Sequence, residues 1–365
     1  MRIVSGHVPY GQGGLGRALQ SVVEDARRAD VLLRYYCTAG RPGDGAADVV
    51  DLSRWRWVTR GVLRSAGPGW RDFAARDLFD RQVARSLGRG AALDEVDFVA
   101  LDGAGLHSFA AARRRGAARV ALEATTSHVD NVRRLHRRAG AGAVEPSWLT
   151  PLHVRKLRRE YAAADTIGVM SSYARASFVE AGVPEHKLVR RVHPVPARYA
   201  PPVHRPPSGV FTVIYVGRLE QTKGVALLLD AFRRLRQPDL RLVLVGRFAT
   251  DSFERLVTER RRADARIAVV AGDPLAHLHR ADLFVHPSFE DALAFAPLEA
   301  LAAGVPVVVT EDTGMKEYVR EGVNGTVVPT GDVEAIAEAM AEAIEHPIAG
   351  AGTRSLLPAA LQSPL

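Results

Sequence analysis

Cysteine is nearly absent from the 365-residue chain: Cys37 stands alone, so no intrachain disulfide can form. That suits a reducing cytoplasm, which is the expected location. Long apolar runs are missing as well. Val305–Thr310 is among the longest and is strand-sized, far short of the ~20 residues that span a bilayer. The start, "MRIVSGHVPYGQGG", lacks the basic segment and apolar core of a signal peptide. No HExxH or DxD pattern occurs, and no metal site is expected. Aromatics make up only 7% and do not interleave with the basic clusters, which argues against nucleic acid as a partner.

What is present is an ordinary globular composition, 47% hydrophobic and 25% charged, with a formal net charge of +8. The length allows about two domains of ~150 residues. Arginine clusters at Arg113–Arg115, Arg133–Arg138 and Arg155–Arg159. They read either as solvated helix faces or as a surface for an anionic partner, such as a phosphate-bearing substrate or an acidic membrane face.

Strand-like and helical patterns alternate along the chain. Strands are expected at Arg2–Ser5, Val31–Tyr36, Phe98–Leu101, Val120–Ala124 and Thr166–Met170, with helices at Leu15–Arg28, Ala74–Leu87 and Leu152–Ala163. "HPVPARYAPPVHRPPSG" (His193–Gly209) then carries six prolines and reads as a stiff linker. The alternation restarts with "VFTVIYVG", a helix at Val225–Leu235, "LRLVLVG", "RIAVVAG", "DLFVHPS", "VPVVVT" and a helix at Val333–Ile344. Near-continuous Val/Ile/Leu runs mark strands buried on both faces of parallel sheets. The expected fold class is therefore α/β: two doubly wound domains, 1–200 and 201–346, with ligands between them, and an irregular tail over 347–365 that is truncated or divergent.

Two sets of residues could carry chemistry. Arg218 and Lys223, in "VGRLEQTKG", follow a strand and could hold a diphosphate, or could be solvated loop residues. Asp291 and Glu299 lie eight residues apart around an expected helix start near Phe295. The amides of Phe295 and Ala296 would be helix-start donors suited to phosphate. On that reading the two acids grip two parts of one ligand. On the other, Asp291 caps the helix and Glu299 is a surface residue.

Taken in order, "GRLEQTKG", "DLFVHPS", the acid-x7-Glu element, "EALAAGVPVVVT" and "VREGVNGTVVPTGDVEAIAEAM" resemble the retaining GT-B glycosyltransferases of family four. The likeness runs closely over Phe211–Ile344. It is looser earlier, through "GGLGR" and "SSYARASFVEAGVPEHKL". The resemblance implies a GT-B fold, two Rossmann-like domains with an interdomain cleft. It implies a nucleotide-sugar donor on the C-terminal domain and an acceptor largely on the N-terminal one. The donor is a substrate, and no cofactor is implied.

By position, Arg218 and Lys223 would neutralise the donor diphosphate, and Glu299 would bind the ribose. Asp291 would hold the sugar's hydroxyls, and Phe295 and Ala296 would give amides to phosphate. The base would sit near Val269–Asp273 and Gly246–Arg247. Gly13 and Gly14 would bring backbone close to donor phosphate or acceptor. His128, in "LEATTSH", would orient or polarise the donor sugar, with His107 ranked second.

The chain also departs from the family pattern. Asp291 stands where glutamate is usual, with Glu290 beside it as a substitute by a one-residue slip. Ala294 stands where glycine is usual. The long helix that normally closes the chain has no counterpart. A catalytically impaired donor-binding relic, or an accessory subunit, is the alternative to a working transferase. Gly140–Trp148 and Trp55–Trp70 are candidate acceptor contacts. The arginines favour an acceptor at the inner membrane face.

Overall fold

The computed structural model describes residues 1–40, 44–50, 67–90, 92–140, 148–202, 209–348, 357, 358 and 361. The Trp55–Trp70 and Gly140–Trp148 stretches fall mostly outside them. The chain divides into two compact units, Met1–Arg133 with Pro146–His193, and Arg134–Glu145 with Pro194–Leu365.

In the first unit the strands are β1 (Arg2–Ser5), β2 (Leu32–Cys37), β3 (Ala47–Val49), β4 (Asp97–Leu101), β5 (Arg119–Glu123), β6 (Thr166–Val169) and β7 (Leu188–Arg190). They form one parallel sheet in the order β3-β2-β1-β4-β5-β6-β7. Its helices are α1 (Gly13–Arg28), α2 (Pro68–Arg89), α3 (Leu106–Arg114), α4 (Val129–Arg138), α5 (Pro151–Ala163) and α6 (Ser172–Glu180), with α4 crossing the division at Arg133.

Helix α1 shows why this sequence packs. Leu19, Val22, Val23 and Ala26 recur at helical spacing and are all buried. Leu19, Val22 and Val23 meet Val4, Tyr35, Val99 and Leu101 of the sheet in one cluster. Each such side chain contributes roughly 1.5–3 kcal/mol on burial. Local signals set the helix starts. Ser171 accepts from the Ala174 amide at 2.9 Å, and Thr150 accepts from the His153 amide at 3.2 Å, with Pro151 next in line. The edge strands β3 and β7 lay outside the sequence expectation. Each is three residues long without an apolar run, and each forms by pairing onto a neighbour, β3 on β2 and β7 on β6.

The second unit repeats the plan with β8 (Phe211–Val216), β9 (Leu240–Val245), β10 (Ile267–Val270), β11 (Leu283–His286), β12 (Val307–Thr310) and β13 (Gly325–Val328) in the order β10-β9-β8-β11-β12-β13. Helices α7 (Val225–Phe232), α8 (Asp251–Ala263), α9 (Leu275–Leu278), α10 (Phe295–Ala302) and α11 (Val333–Glu345) alternate with them. Every residue of β11 and β12 is buried, as the unbroken apolar runs require. Phe232, Leu242, Phe253, Val285, Ile336 and Met340 share one core. Beyond α11, Leu357 and Leu361 are buried, and the Leu361 carbonyl accepts from the Val195 amide at 2.8 Å.

In both sheets the strand order reverses once, between β1 and β4 and between β8 and β11. At such a switch point the connections leave in opposite directions. The crevice beyond the carboxyl ends is then open to a ligand.

Candidate active site

In the second unit, the loops after β8 and β11 leave the switch point and touch. The Phe289 amide donates to the Thr222 carbonyl at 2.9 Å. Gly224 has φ +70°, and a Cβ there would stand 1.9 Å from the Pro287 carbonyl oxygen, so only glycine lets these backbones approach. Thr310 Oγ1 donates to the Ser288 carbonyl at 2.5 Å and Ser288 Oγ to that of Glu290 at 2.8 Å. The loop that carries the acids is thereby tied down.

These contacts bring Lys223 and Asp291 together. Lys223 Nζ lies 2.6 Å from Asp291 Oδ2 and 3.5 Å from the Glu290 carbonyl. His286 Nε2, at the end of β11, lies 3.2 Å from the same Oδ2. Since a carboxylate only accepts, that nitrogen carries the proton. His286 was not singled out from the sequence; its place as the last residue of β11 at the switch point was the available signal.

The charges follow from the geometry. Burial pushes the Asp291 carboxyl up, but the Lys223 ammonium and the His286 hydrogen bond outweigh it and hold it below the usual carboxylate range. Burial likewise pulls Lys223 down, and Asp291 with Glu220 more than restores it. For His286 burial wins, and the ring is held neutral. Arg218 is placed differently. Its side chain is 68% exposed and pairs with Glu220 Oε2 at 3.0 Å.

Helix α10 begins at Phe295, as expected. Its cap residue is Ala294, with φ +66° and ψ +108° and no side-chain hydrogen bond to the helix. The capping role considered for Asp291 is not seen: its carboxylate is with Lys223 and His286, and its carbonyl accepts from the Gly314 amide at 2.9 Å. Phe295 and Ala296 are half-buried in the first turn, followed by buried Pro297, whose missing N–H is no loss there. Glu299 is 2% exposed, which rules out the surface-residue reading; Glu290 is buried too.

In the first unit, Gly13 and Gly14 open α1 behind Gln12, which makes no side-chain cap. Among the described residues a Cβ on either would meet nothing within 4 Å, so packing against them does not require glycine there. His128 follows β5 and is 5% exposed. Its ring packs on Tyr161 and Phe178, with centroids 5.0 and 5.2 Å away. Nδ1 accepts from the Asp130 amide at 3.3 Å, and burial lowers its pKa.

His107 belongs to a different cluster. Its Nε2 is 3.1 Å from Asp77, and Asp77, Asp80 and His107 could together offer ligand atoms to an ion. The ammonium of buried Lys156 is already there, 3.0 Å from Asp77 and 2.9 Å from Asp80. Beside it, buried Glu160 accepts from the amides of Gly103, Gly105 and Leu106 at 2.7–3.1 Å. Burial is the main reason its pKa rises to about 7. This group was not foreseen. It braces the loop after β4 and the start of α3.

Comparisons with known proteins bear on the fold and the family. Residues 200–354 match the family model for glycosyl transferases group 1, which takes in β8 through α11. Glycogen synthase of Mycobacterium tuberculosis is 34% identical over 160 residues, 42% of this chain and 38% of that one. A GDP-mannose-dependent alpha-(1-6)-phosphatidylinositol monomannoside mannosyltransferase of Mycolicibacterium smegmatis is 31% identical over 244 residues, 58% of this chain and 64% of that one. The chain thus spans less than two thirds of these relatives.

Among solved structures, sucrose-phosphate synthase of Thermosynechococcus elongatus superposes with a TM-score of 0.74 at 17% identity, covering 99% of this chain and 95% of that one. Anabaena HepE in complex with UDP-glucose superposes with a TM-score of 0.68 at 15% identity, covering 98% and 94%. Two parallel-sheet α/β domains of this kind make the fold GT-B.

Proposed function

We propose that the chain is a glycosyltransferase that moves a sugar from a UDP, GDP or ADP donor to a hydroxyl acceptor with retention. The observation that carries this reading is the lysine–carboxylate pair of Lys223 and Asp291, 2.6 Å apart at the switch point, with Asp291 four residues ahead of the start of α10. The match of residues 200–354 to the group 1 glycosyl transferase model and the similarity to a mannosyltransferase over 244 residues support it.

The roles follow from charge. The departing diphosphate gathers negative charge in the transition state, and fixed cations and helix-start amides stabilise it. Lys223 would turn from Asp291 to that diphosphate. Exposed Arg218 would add a second charge, and the amides of Phe295 and Ala296 the hydrogen bonds. Together these would serve in place of a metal or cofactor. Asp291 would hold the donor sugar and Glu299 the ribose. His128 would polarise the sugar from the first unit, whose Gly13–Gly14 turn lets a phosphate or acceptor approach. The acceptor remains a class, a glycolipid, polysaccharide or natural-product intermediate.

Helix α5 shows Arg155, Arg159 and Leu152, the last 42% exposed, to solvent, which supports peripheral contact with an anionic membrane. No described helix is long and apolar enough to cross a membrane. Co-sedimentation with anionic but not neutral vesicles tests that part.

The test of the whole reading is thermal stability against a metal-free panel of UDP-, GDP- and ADP-sugars, beside Glu299→Ala. A donor at 100 times its Kd stabilises by about 2.7 kcal/mol. A shift with one nucleotide class, lost in the variant, followed by slow donor hydrolysis, supports the transferase. No shift with any donor overturns it.

A further inference from the structure

Asp291 Oδ2 accepts from two donors at once, Lys223 Nζ at 2.6 Å and His286 Nε2 at 3.2 Å. Only one of them can leave. Lys223 rides on a flexible stem and is a quarter exposed. His286 ends a central strand, is 3% exposed, and lies parallel to the Tyr215 ring, 6.3 Å between centroids. Tyr215 is itself fixed, its hydroxyl donating to the Arg218 carbonyl at 2.8 Å.

We infer that His286 is a positioning residue: its Nε2–H keeps the Asp291 carboxylate aimed at the donor sugar after the diphosphate has drawn Lys223 away. A carboxylate left by its lysine in a buried loop would otherwise turn to another partner, because an unpaired buried charge is costly. The same contact gives a reason for aspartate at 291. The carboxylate already lies between a fixed donor and a mobile one, and a further methylene would carry it past His286. His286 Nδ1 is buried without a hydrogen-bond partner among the described residues, and a second proton there would have none either. The ring therefore works as a neutral donor and not as an acid. The inference rests on the function proposed above.

Two variants separate positioning from packing. His286→Phe keeps a flat ring against Tyr215 and removes the N–H. His286→Asn keeps an N–H donor and removes the ring. The probes are UDP and UDP-glucose, GDP and GDP-mannose, and ADP and ADP-glucose, with Kd measured calorimetrically. The readout is the ratio of the Kd of the diphosphate to that of its sugar.

In the wild type the sugar tightens binding. In His286→Phe that gain falls about tenfold, as loss of one hydrogen bond to a charged group implies, while the bare diphosphate binds as before. His286→Asn restores much of it, and in an Asp291→Asn background His286→Phe changes nothing further. A ratio unchanged in His286→Phe, or no gain from the sugar in the wild type, overturns the inference. Binding of no nucleotide at all overturns the proposed function itself.

Discussion

Lys223 and Asp291 come from loops 68 residues apart in sequence and meet at 2.6 Å, each the other's principal charge partner. The pair has a signature in acid. The folded Asp291 carboxyl titrates below its unfolded value of about 3.9, so between the two the unfolded chain holds more protons. Stability from this group is complete above about pH 4 and is lost as the pH falls through the folded value. Asp291→Asn should cost about 1–3 kcal/mol at pH 7. The gap to wild type should narrow below about pH 4. Urea unfolding at pH 7, 4 and 2.5 measures it; a gap that does not narrow speaks against the ionised pair.

Ala294 is strained where its neighbours are not. With φ +66° and ψ +108°, its Cβ crowds its own backbone, a cost of roughly 1–2 kcal/mol for a left-handed residue. Ala294→Gly relieves that and gives back part as unfolded-chain entropy. The net expectation is a gain of about 0.5–1 kcal/mol, seen as a melting temperature higher by ~2 °C. A lower melting temperature would mean that the alanine methyl packs better than its backbone suggests.

How far these features could be read beforehand depends on what made each one. The apolar runs of β1, β4, β5, β8, β9, β11 and β12 and the helical spacing in α1 and α11 are local patterns, and they announced both sheets. The start of α10 was legible from proline and the change of period at Phe295. Strands β3 and β7 were not, because pairing rather than composition creates them. The same holds for the site. Lys223 and Asp291 carried a motif, whereas His286 matters through a contact made only once β11 ends at the switch point. The largely buried Asp77–Asp80–Lys156–Glu160 group joins α2 to α5 across more than 70 residues of chain. No spacing rule connects such positions.

His128 makes a prediction about rate. Its ring is neutral around pH 7, with Nδ1 accepting and Nε2–H left to donate. His128→Ala should lower donor turnover by about 10² while nucleotide binding stays within a few-fold, the pattern of a group that acts on developing charge. Turnover that depends on His128 should change little from pH 7 to 8, since burial holds the ring's pKa below its ordinary value. Initial rates of donor hydrolysis over that range, with a parallel titration of the diphosphate, decide it. Equal losses in binding and turnover would make His128 a packing residue for Tyr161 and Phe178.

Two glycines of the first unit should respond in opposite ways to the same methyl group. Gly168, in β6, lies under the buried Glu123 carboxylate, which Arg191 Nη2 meets at 2.8 Å. A Cβ at 168 would stand 2.0 Å from Glu123 Oε2 and 2.9 Å from Arg191 Cγ. Neither can retreat without parting the ion pair, so Gly168→Ala should cost about 3–5 kcal/mol. Gly14, in the first turn of α1, has nothing within 4 Å of its would-be Cβ. Gly14→Ala should therefore leave the fold neutral or more stable by up to ~1 kcal/mol. If the same variant weakens donor or acceptor binding, the methyl has met a ligand, because no atom of the described residues is there for it to meet. Denaturant unfolding of both variants, followed by nucleotide titration of Gly14→Ala, separates a glycine kept for packing from one kept for a bound molecule.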